Sequence, residues 1–337
     1  MEHLLQVENL KVNFKTFGGE VKAVRGVTFH VDKGETVAIV GESGCGKSVT
    51  AQAIMGLIPS PPGRIVDGSI RFNGQEITAM SKEELHRIRG TQIGMVFQDP
   101  MTALNPTMKV GSQIAEGLIR HRNLGKQEAK QKAVEMLKLV GIPDAAKRAE
   151  QYPHEFSGGM RQRVVIAIAL ACSPELVIAD EPTTALDVTV QAQILDLMRD
   201  LQQQNNLAIV LITHDLGVVA EAAQRAVVMY AGIVVETGPV EEIFARPKHP
   251  YTWGLMKSMP RIDGAKERLV PIEGAPPDLF NPPHGCPFAA RCDYAMEICQ
   301  RQMPEATDFA DGHKAACWLH DERAPKIDEL VAAGRQV

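Results

Sequence analysis

The chain has 337 residues, of which 45% are apolar, and a formal net charge of −5. That is enough to bury a sizeable core, as one large domain with an appendage or as two modest domains. The mild acidity gives no support to a nucleic-acid partner, which usually shows up as a strongly basic balance. No apolar run reaches the ~18 residues a bilayer span needs. The opening "MEHLLQVENLKV" is charged and alternating, unlike a secretory signal. These features predict a cytosolic protein, or one docked on a membrane through partners that span it.

In chain order, the first ~240 residues alternate strand-like and helix-like runs, the pattern of an α/β domain. "TVAIVG" (36–41) is a short apolar strand entering a glycine-rich loop, and 47–58 is the helix leaving it. Residues 69–78 have hairpin character around Asn73 and Gly74, and 92–100 is a buried strand stopped by Pro100. From about Met101 to Ala171 the pattern turns helical, including the amphipathic run 126–142. Fully apolar strands return at 175–182 and 207–215, each ending in polar residues, and 227–238 reads as a closing hairpin around Ala231 and Gly232. After about Pro247 proline and glycine become dense and periodicity fades, which predicts a small, loop-rich unit that needs a staple.

The stretch "GESGCGKS" (41–48) has the spacing of a phosphate-gripping loop. Gly41, Gly44 and Gly46 free the backbone to fold tightly, and the loop amides and helix N-terminus direct positive potential at an anion. Lys47 is placed to reach the terminal phosphates of ATP, and Ser48 to ligate Mg²⁺. Cys45 lies inside this loop and has two readings, a thiol activated by the amides and Lys47 or a passive occupant. The strand "LVIADE" ends in Asp180, suited to hold Mg²⁺ through water, and Glu181, suited to polarise the attacking water. Between them "FSGGMRQR" (156–163) offers Ser157 as an N-cap, with Gly158, Gly159 and the cationic run suggesting a second anion-binding helix end.

These motifs in this order, with Gln98 in "VFQDP", "VIADEPTTALD" and His214 in "LITHD", resemble those of an ATP-binding-cassette ATPase. "FQDPMTALNP", "MYAGIVVETG", "HPYTWGL" and "GCPFAARCDYAMEIC" resemble the ATPase subunits of dipeptide and oligopeptide importers. The resemblance implies a phosphate-loop ATP-binding-cassette domain over 1–247, with a RecA-like core, an antiparallel β subdomain and a helical subdomain at about 101–171. A C-terminal extension would occupy 248–337. It further implies that Ser43 and Val49 join the loop residues on the nucleotide, and that Phe14, or alternatively Phe17, stacks on adenine. Glu181 would be the catalytic base, His214 the switch on the γ-phosphate, and Gln98 the link between Mg²⁺ and the membrane subunits. Ser157, Gly158 and Gly159 would serve ATP held by a partner, with Asp187 in the loop that crosses to it. The expected partners are a second, related ATPase chain, two permeases and, through them, an external peptide-binding protein. The expected place is the cytoplasmic face of the inner membrane. An importer for nickel, glutathione or another small solute, or a soluble cassette ATPase, would share these motifs.

Four of the six cysteines crowd the tail in the order Cys286-x5-Cys292-x6-Cys299-x17-Cys317. In a reducing compartment this favours a metal site over disulfides. No close pair of the zinc type is present, so an iron–sulfur group suits the spacing better, although it matches neither common ferredoxin pattern. The family resemblance implies a 4Fe–4S cluster, with Zn²⁺ as the alternative. His284, His313 and His320 lie nearby and read as surface histidines.

Overall fold

The computed structural model describes residues 3–184, 186–259 and 271–326. The chain forms two compact units, one drawn from 1–30, 37–78 and 213–337, the other from 31–36 and 79–212.

In the first unit, strands Gly19–Val31, Leu5–Thr16, Gly63–Phe72 and Gln75–Glu76 form an antiparallel sheet in that order. Leu5 and Val7 are buried, then Leu10 and Val12, so the buried face changes from odd to even positions along one strand. A register irregularity between Glu8 and Lys11, with Asn9 at φ 47°, absorbs the extra residue. This is a β-bulge, which lets both halves of the strand keep their apolar side chains inward. The predicted turn at Asn73 and Gly74 is present, with φ 48° and 74°. Both residues lie in the left-handed region that tight hairpin turns require.

The same unit contains a second run of strands. Thr36–Val40 pairs in parallel with Arg225–Tyr230, which turns through Ala231 and Gly232 into antiparallel Ile233–Pro239. Residues beyond Pro247 continue this assembly. Lys314–Ala315 pairs with Ile233–Pro239, and Tyr251, Cys286, Phe288 and Cys299 share one apolar core with Val40, Val228 and Val235.

In the second unit, Ile93–Val96, Leu176–Asp180 and Ala208–Thr213 form a parallel sheet. All three strands are buried along their whole length, as strands covered on both faces should be. The predicted helical region resolves into Pro100–Ala103, Val110–Arg122, Lys126–Leu139, Ala145–Arg148 and Gly158–Leu170. A Cβ on Gly94 would stand 2.5 Å from the Ala169 carbonyl, so glycine is needed where the last of these helices meets its strand.

Candidate nucleotide site and cysteine pocket

Strand Thr36–Val40 delivers the chain into the 41–48 loop, and helix Lys47–Ile54 carries it away. The three glycines have distinct tasks. A Cβ on Gly41 would collide with the Met229 carbonyl, and one on Gly46 would lie 2.6 Å from the Ala23 carbonyl. Gly44, at φ 78°, faces open space, leaving its backbone free to meet a ligand. Lys47 is buried, and its ammonium donates to the carbonyls of Gly41 (2.8 Å) and Glu42 (3.1 Å). Its ammonium is therefore already tied to the first two residues of the loop. Ser43 and Gly44 are exposed, Ser48 and Val49 half-buried.

Cys45 is buried, and burial pushes its thiol up, outweighing the opposing pull of Lys47. Of the two readings of Cys45 this favours the passive occupant, because desolvation favours the neutral form.

Glu42 contributes what the sequence did not suggest. Its N–H donates to the Tyr251 hydroxyl (2.8 Å), and its carboxylate accepts both terminal nitrogens of Arg291 (2.6 and 3.0 Å). Glu42 holds the Arg291 guanidinium still further above the usual arginine range. An acid inside an anion-binding loop was the available signal, since such a residue needs a counter-cation.

In the second unit, Asp180 is buried at the end of its strand. Glu181 follows at φ 47°, a left-handed conformation that costs a non-glycine residue on the order of 1–3 kcal/mol and clusters at functional positions. Its N–H donates to the Ile212 carbonyl (2.9 Å), and its carboxylate accepts from Gln98 and from Thr184, each at 2.9 Å. Two of the expected site residues, Gln98 and Glu181, thus meet directly. Ser157 caps helix Gly158–Leu170 by accepting from Met160, and Asp187 caps helix Val188–Asn205 by accepting from Val190.

The cationic run after Gly159 departs from expectation. Arg161 donates to the Pro153 carbonyl and Arg163 to the Val140 carbonyl, so both brace neighbouring backbone rather than the helix end. Gly159 has a packing reason, because a Cβ there would stand 2.5 Å from Val190.

His214 is exposed beside Asp215, which caps the next helix. Phe14 is half-buried with its ring against Gly63, whereas Phe17 is fully exposed and lines an open recess of about 570 Å³ with Lys15, Glu20 and Arg64.

Cys286, Cys292, Cys299 and Cys317 line one narrow cavity together with His249 and Trp318. Burial, and the other thiols of the group, push Cys286 up to about 11 and Cys292 and Cys317 up to about 12. No three of these sulfurs lie within 4.8 Å of one another. His249 caps helix Pro250–Lys257, its Nδ1 accepting from the Tyr251 N–H at 3.0 Å. Nε2 must then carry the proton, and it is buried without a hydrogen-bond partner. The surface reading of two tail histidines is corrected. His313 is buried, its Nε2 2.7 Å from the Glu236 carboxylate, and His320 is half-buried with Nε2 2.8 Å from the Lys248 carbonyl. His284 is exposed.

Comparison with known proteins places these features in one family. Residues 24–184 match the ABC transporter family and 235–299 the oligopeptide/dipeptide transporter C-terminal region. The oligopeptide transport ATP-binding protein OppD of Bacillus subtilis is 60% identical over 326 residues, covering 96% of this chain and 91% of that protein. The dipeptide transport ATP-binding protein DppD of the same organism is 56% identical, covering 96% and 97%. Among solved structures, the ATP-binding cassette MJ0796 in a dimeric post-hydrolysis state, bound to ADP and Pi, aligns with a TM-score of 0.64 at 28% identity. That alignment covers 70% of this chain and 98% of the cassette. The chain belongs to the ATP-binding-cassette ATPases, in the branch that energises oligopeptide and dipeptide transporters.

Proposed function

We propose that this protein is the ATP-hydrolysing subunit of a membrane importer for dipeptides or oligopeptides. The observation that carries the reading is a phosphate loop with its lysine pre-poised, in one chain with a strained Glu181 hydrogen-bonded to Gln98. The loop fits a triphosphate, because Gly44 leaves room where a Cβ would stand and Lys47 is charged and buried at the loop's centre. Gly41, Ser43, Gly44, Cys45, Gly46 and Val49 would supply the backbone cradle, and Ser48 and Asp180 would hold Mg²⁺. Bound there, the metal neutralises developing charge on the transferred phosphoryl group.

Glu181 orients the attacking water and takes its proton, while Gln98 and Thr184 fix the carboxylate's direction. His214, exposed beside the start of its helix, contacts the terminal phosphate. Phe17 is better exposed than Phe14 to stack on the base. Ser157, Gly158 and Gly159 serve the nucleotide of a second ATPase chain, and Asp187 faces that partner. Withholding these groups until two subunits close ties hydrolysis to motion. Two permeases take up that motion at the cytoplasmic face of the membrane, and an external binding protein delivers the peptide. No helix among the described residues is long and apolar enough to cross a membrane, which is consistent with separate permeases.

The four tail cysteines hold a 4Fe–4S cluster in this reading. Cys286, Cys292, Cys299 and Cys317 line one cavity, which supports a shared ligand for the four thiols. Raised thiol values mean that binding must displace protons. Metal analysis of chain prepared anaerobically tests the assignment, and zinc without iron overturns it.

The importer is tested by affinity capture of the tagged chain from detergent-solubilised membranes. Two polytopic permeases and a sister ATPase are expected. A chain recovered only from the soluble fraction, alone or with ribosomes or DNA, refutes the transport role.

A further inference from the structure

Arg291 sits on the short helical turn Ala289–Arg291, between Cys286 and Cys292. All five of its N–H donors are used. Nε donates to the Glu273 carbonyl (2.8 Å), and one terminal nitrogen to Glu42 (2.6 Å) and the Tyr230 hydroxyl (3.1 Å). The other donates to Glu42 (3.0 Å) and the Ile272 carbonyl (3.0 Å). The guanidinium also lies over the rings of Tyr230 and Phe288 at 5.7 and 5.9 Å. Its side chain is 4% exposed. A planar fork satisfied at every donor has one orientation. The acid it grips is the second residue of the phosphate loop, whose N–H is held in turn by Tyr251, two residues along the chain from His249 at the cysteine cavity.

We propose that Arg291 is a positioning residue for ATP binding: fixed within the cysteine-bearing turn, it clamps Glu42 and thereby sets the shape of the phosphate loop. The proposal rests on the reading that residues 41–48 grip the nucleotide. The physical case has two parts. Glu42 is an anion in a loop built for anions, so without its cation it would oppose the phosphates. The pair is also bidentate, which fixes direction as well as charge. A tail that merely stapled the fold would need neither feature, because apolar contacts such as Phe288 against Tyr230 and Tyr251 already fasten it. The clamp brings the turn between two of the four cysteines under the same constraint as the loop, so disorder in the turn reaches nucleotide affinity.

The test uses the full chain and a fluorescent ATP analogue, with Kd and the KM and kcat of ATPase activity measured together. Arg291→Met, which leaves the Glu42 charge unpaired, is expected to weaken binding at least about tenfold, the change that ~1.4 kcal/mol produces; Glu42→Gln, which loses the bidentate grip but also the opposing charge, is expected to weaken it by less. The double variant should be no weaker than the worse single one, since both break one clamp. Arg291→Lys, which keeps charge but loses the fork, should recover only part of the affinity. Because the defect lies in binding, KM rises more than kcat falls. A structural role alone would lower the active fraction, and so kcat, with KM unchanged; that result, or additive single effects, overturns the proposal. If Arg291→Met does not fold, Glu42→Gln, which keeps the side chain's size, decides by itself: a raised Kd supports the clamp and wild-type affinity overturns it. Lys47→Ala separates the underlying reading. If it abolishes binding while Glu42→Gln and Arg291→Met bind normally, the clamp fails alone. If Lys47→Ala still binds ATP, the loop assignment falls and the clamp with it.

Discussion

His249 gives the protein a specific sensitivity to acid. Burial, with a smaller contribution from the charge of His320, lowers its imidazole to about 3, against ~6.5 for an unfolded histidine. The unfolded chain therefore takes up the proton first. The stability that neutral His249 contributes is complete above about pH 6.5 and is lost as pH falls toward 3. Between pH 7 and pH 5 the loss amounts to about 2 kcal/mol, from 1.36 kcal/mol per decade of differential protonation. His249→Asn removes the titration while keeping an oxygen that can accept from the Tyr251 N–H in the Nδ1 role. Urea midpoints of the reduced, metal-free chain, taken at both pH values, measure the effect. The wild type should lose about 2 kcal/mol more than the variant over this range, whatever the variant's stability at pH 7. Equal losses in the two proteins would mean that His249 is solvated or already charged in the fold, and would refute the argument.

Replacing Glu181 by Gln should retain ATP binding and lower turnover by roughly 10²–10⁴-fold, the usual contribution of a positioned general base; near-normal turnover in a steady-state ATPase assay would remove Glu181 from that role. Phe17→Ala should weaken binding of a purine nucleotide by ~1–3 kcal/mol, the scale of base–aromatic stacking, without moving the thermal midpoint. Phe14→Ala, half-buried against Gly63, should do the reverse, and calorimetry of both variants distinguishes them. Truncation after Arg246 should yield insoluble protein, because it leaves the carboxylates of Glu42 and Glu236 without their partners; a soluble fragment with a wild-type melting temperature would contradict this.

The elements that read clearly from the sequence are those whose signals are local. The two tight turns announce themselves as Asn73-Gly74 and Ala231-Gly232, and the strand–loop–helix around 41–48 carries its glycines at fixed spacing. Asp180 and Glu181 would be a weak signal alone, and they stand out only because the phosphate-loop pattern precedes the apolar strand that they end. The first strand is harder, since its inward face changes phase at Asn9 and a simple alternation template fails there. The tail was least legible. Its turns are irregular, and what organises them lies far away in the chain, as when Arg291 finds Glu42 or His313 finds Glu236. The basic run after Gly159 misleads for the related reason that composition cannot say whether an arginine faces an anion or a backbone carbonyl. His249 had a usable cue, an acceptor side chain directly before Pro250 at a helix start.

The tail is joined to the nucleotide-binding unit by charge as well as by grease, and the placing of the charges is informative. Glu236 is fully buried on strand Ile233–Pro239, and among the described residues its carboxylate meets groups from beyond Pro247: the N–H groups of Lys248 (2.6 Å) and His249 (2.9 Å) and the ring of His313 (2.7 Å). Glu42 has the same dependence on Arg291 and Tyr251. A buried or half-buried carboxylate is poor value as glue, since apolar residues of similar size usually stabilise as well or better. Its distinguishing property is the penalty of about 3–5 kcal/mol when the partner is lost. Two such acids make the strand and the phosphate loop intolerant of any tail conformation but one. The cysteine-bearing turn, the capped helix at Pro250 and the loop at Glu42 are therefore linked through these two carboxylates.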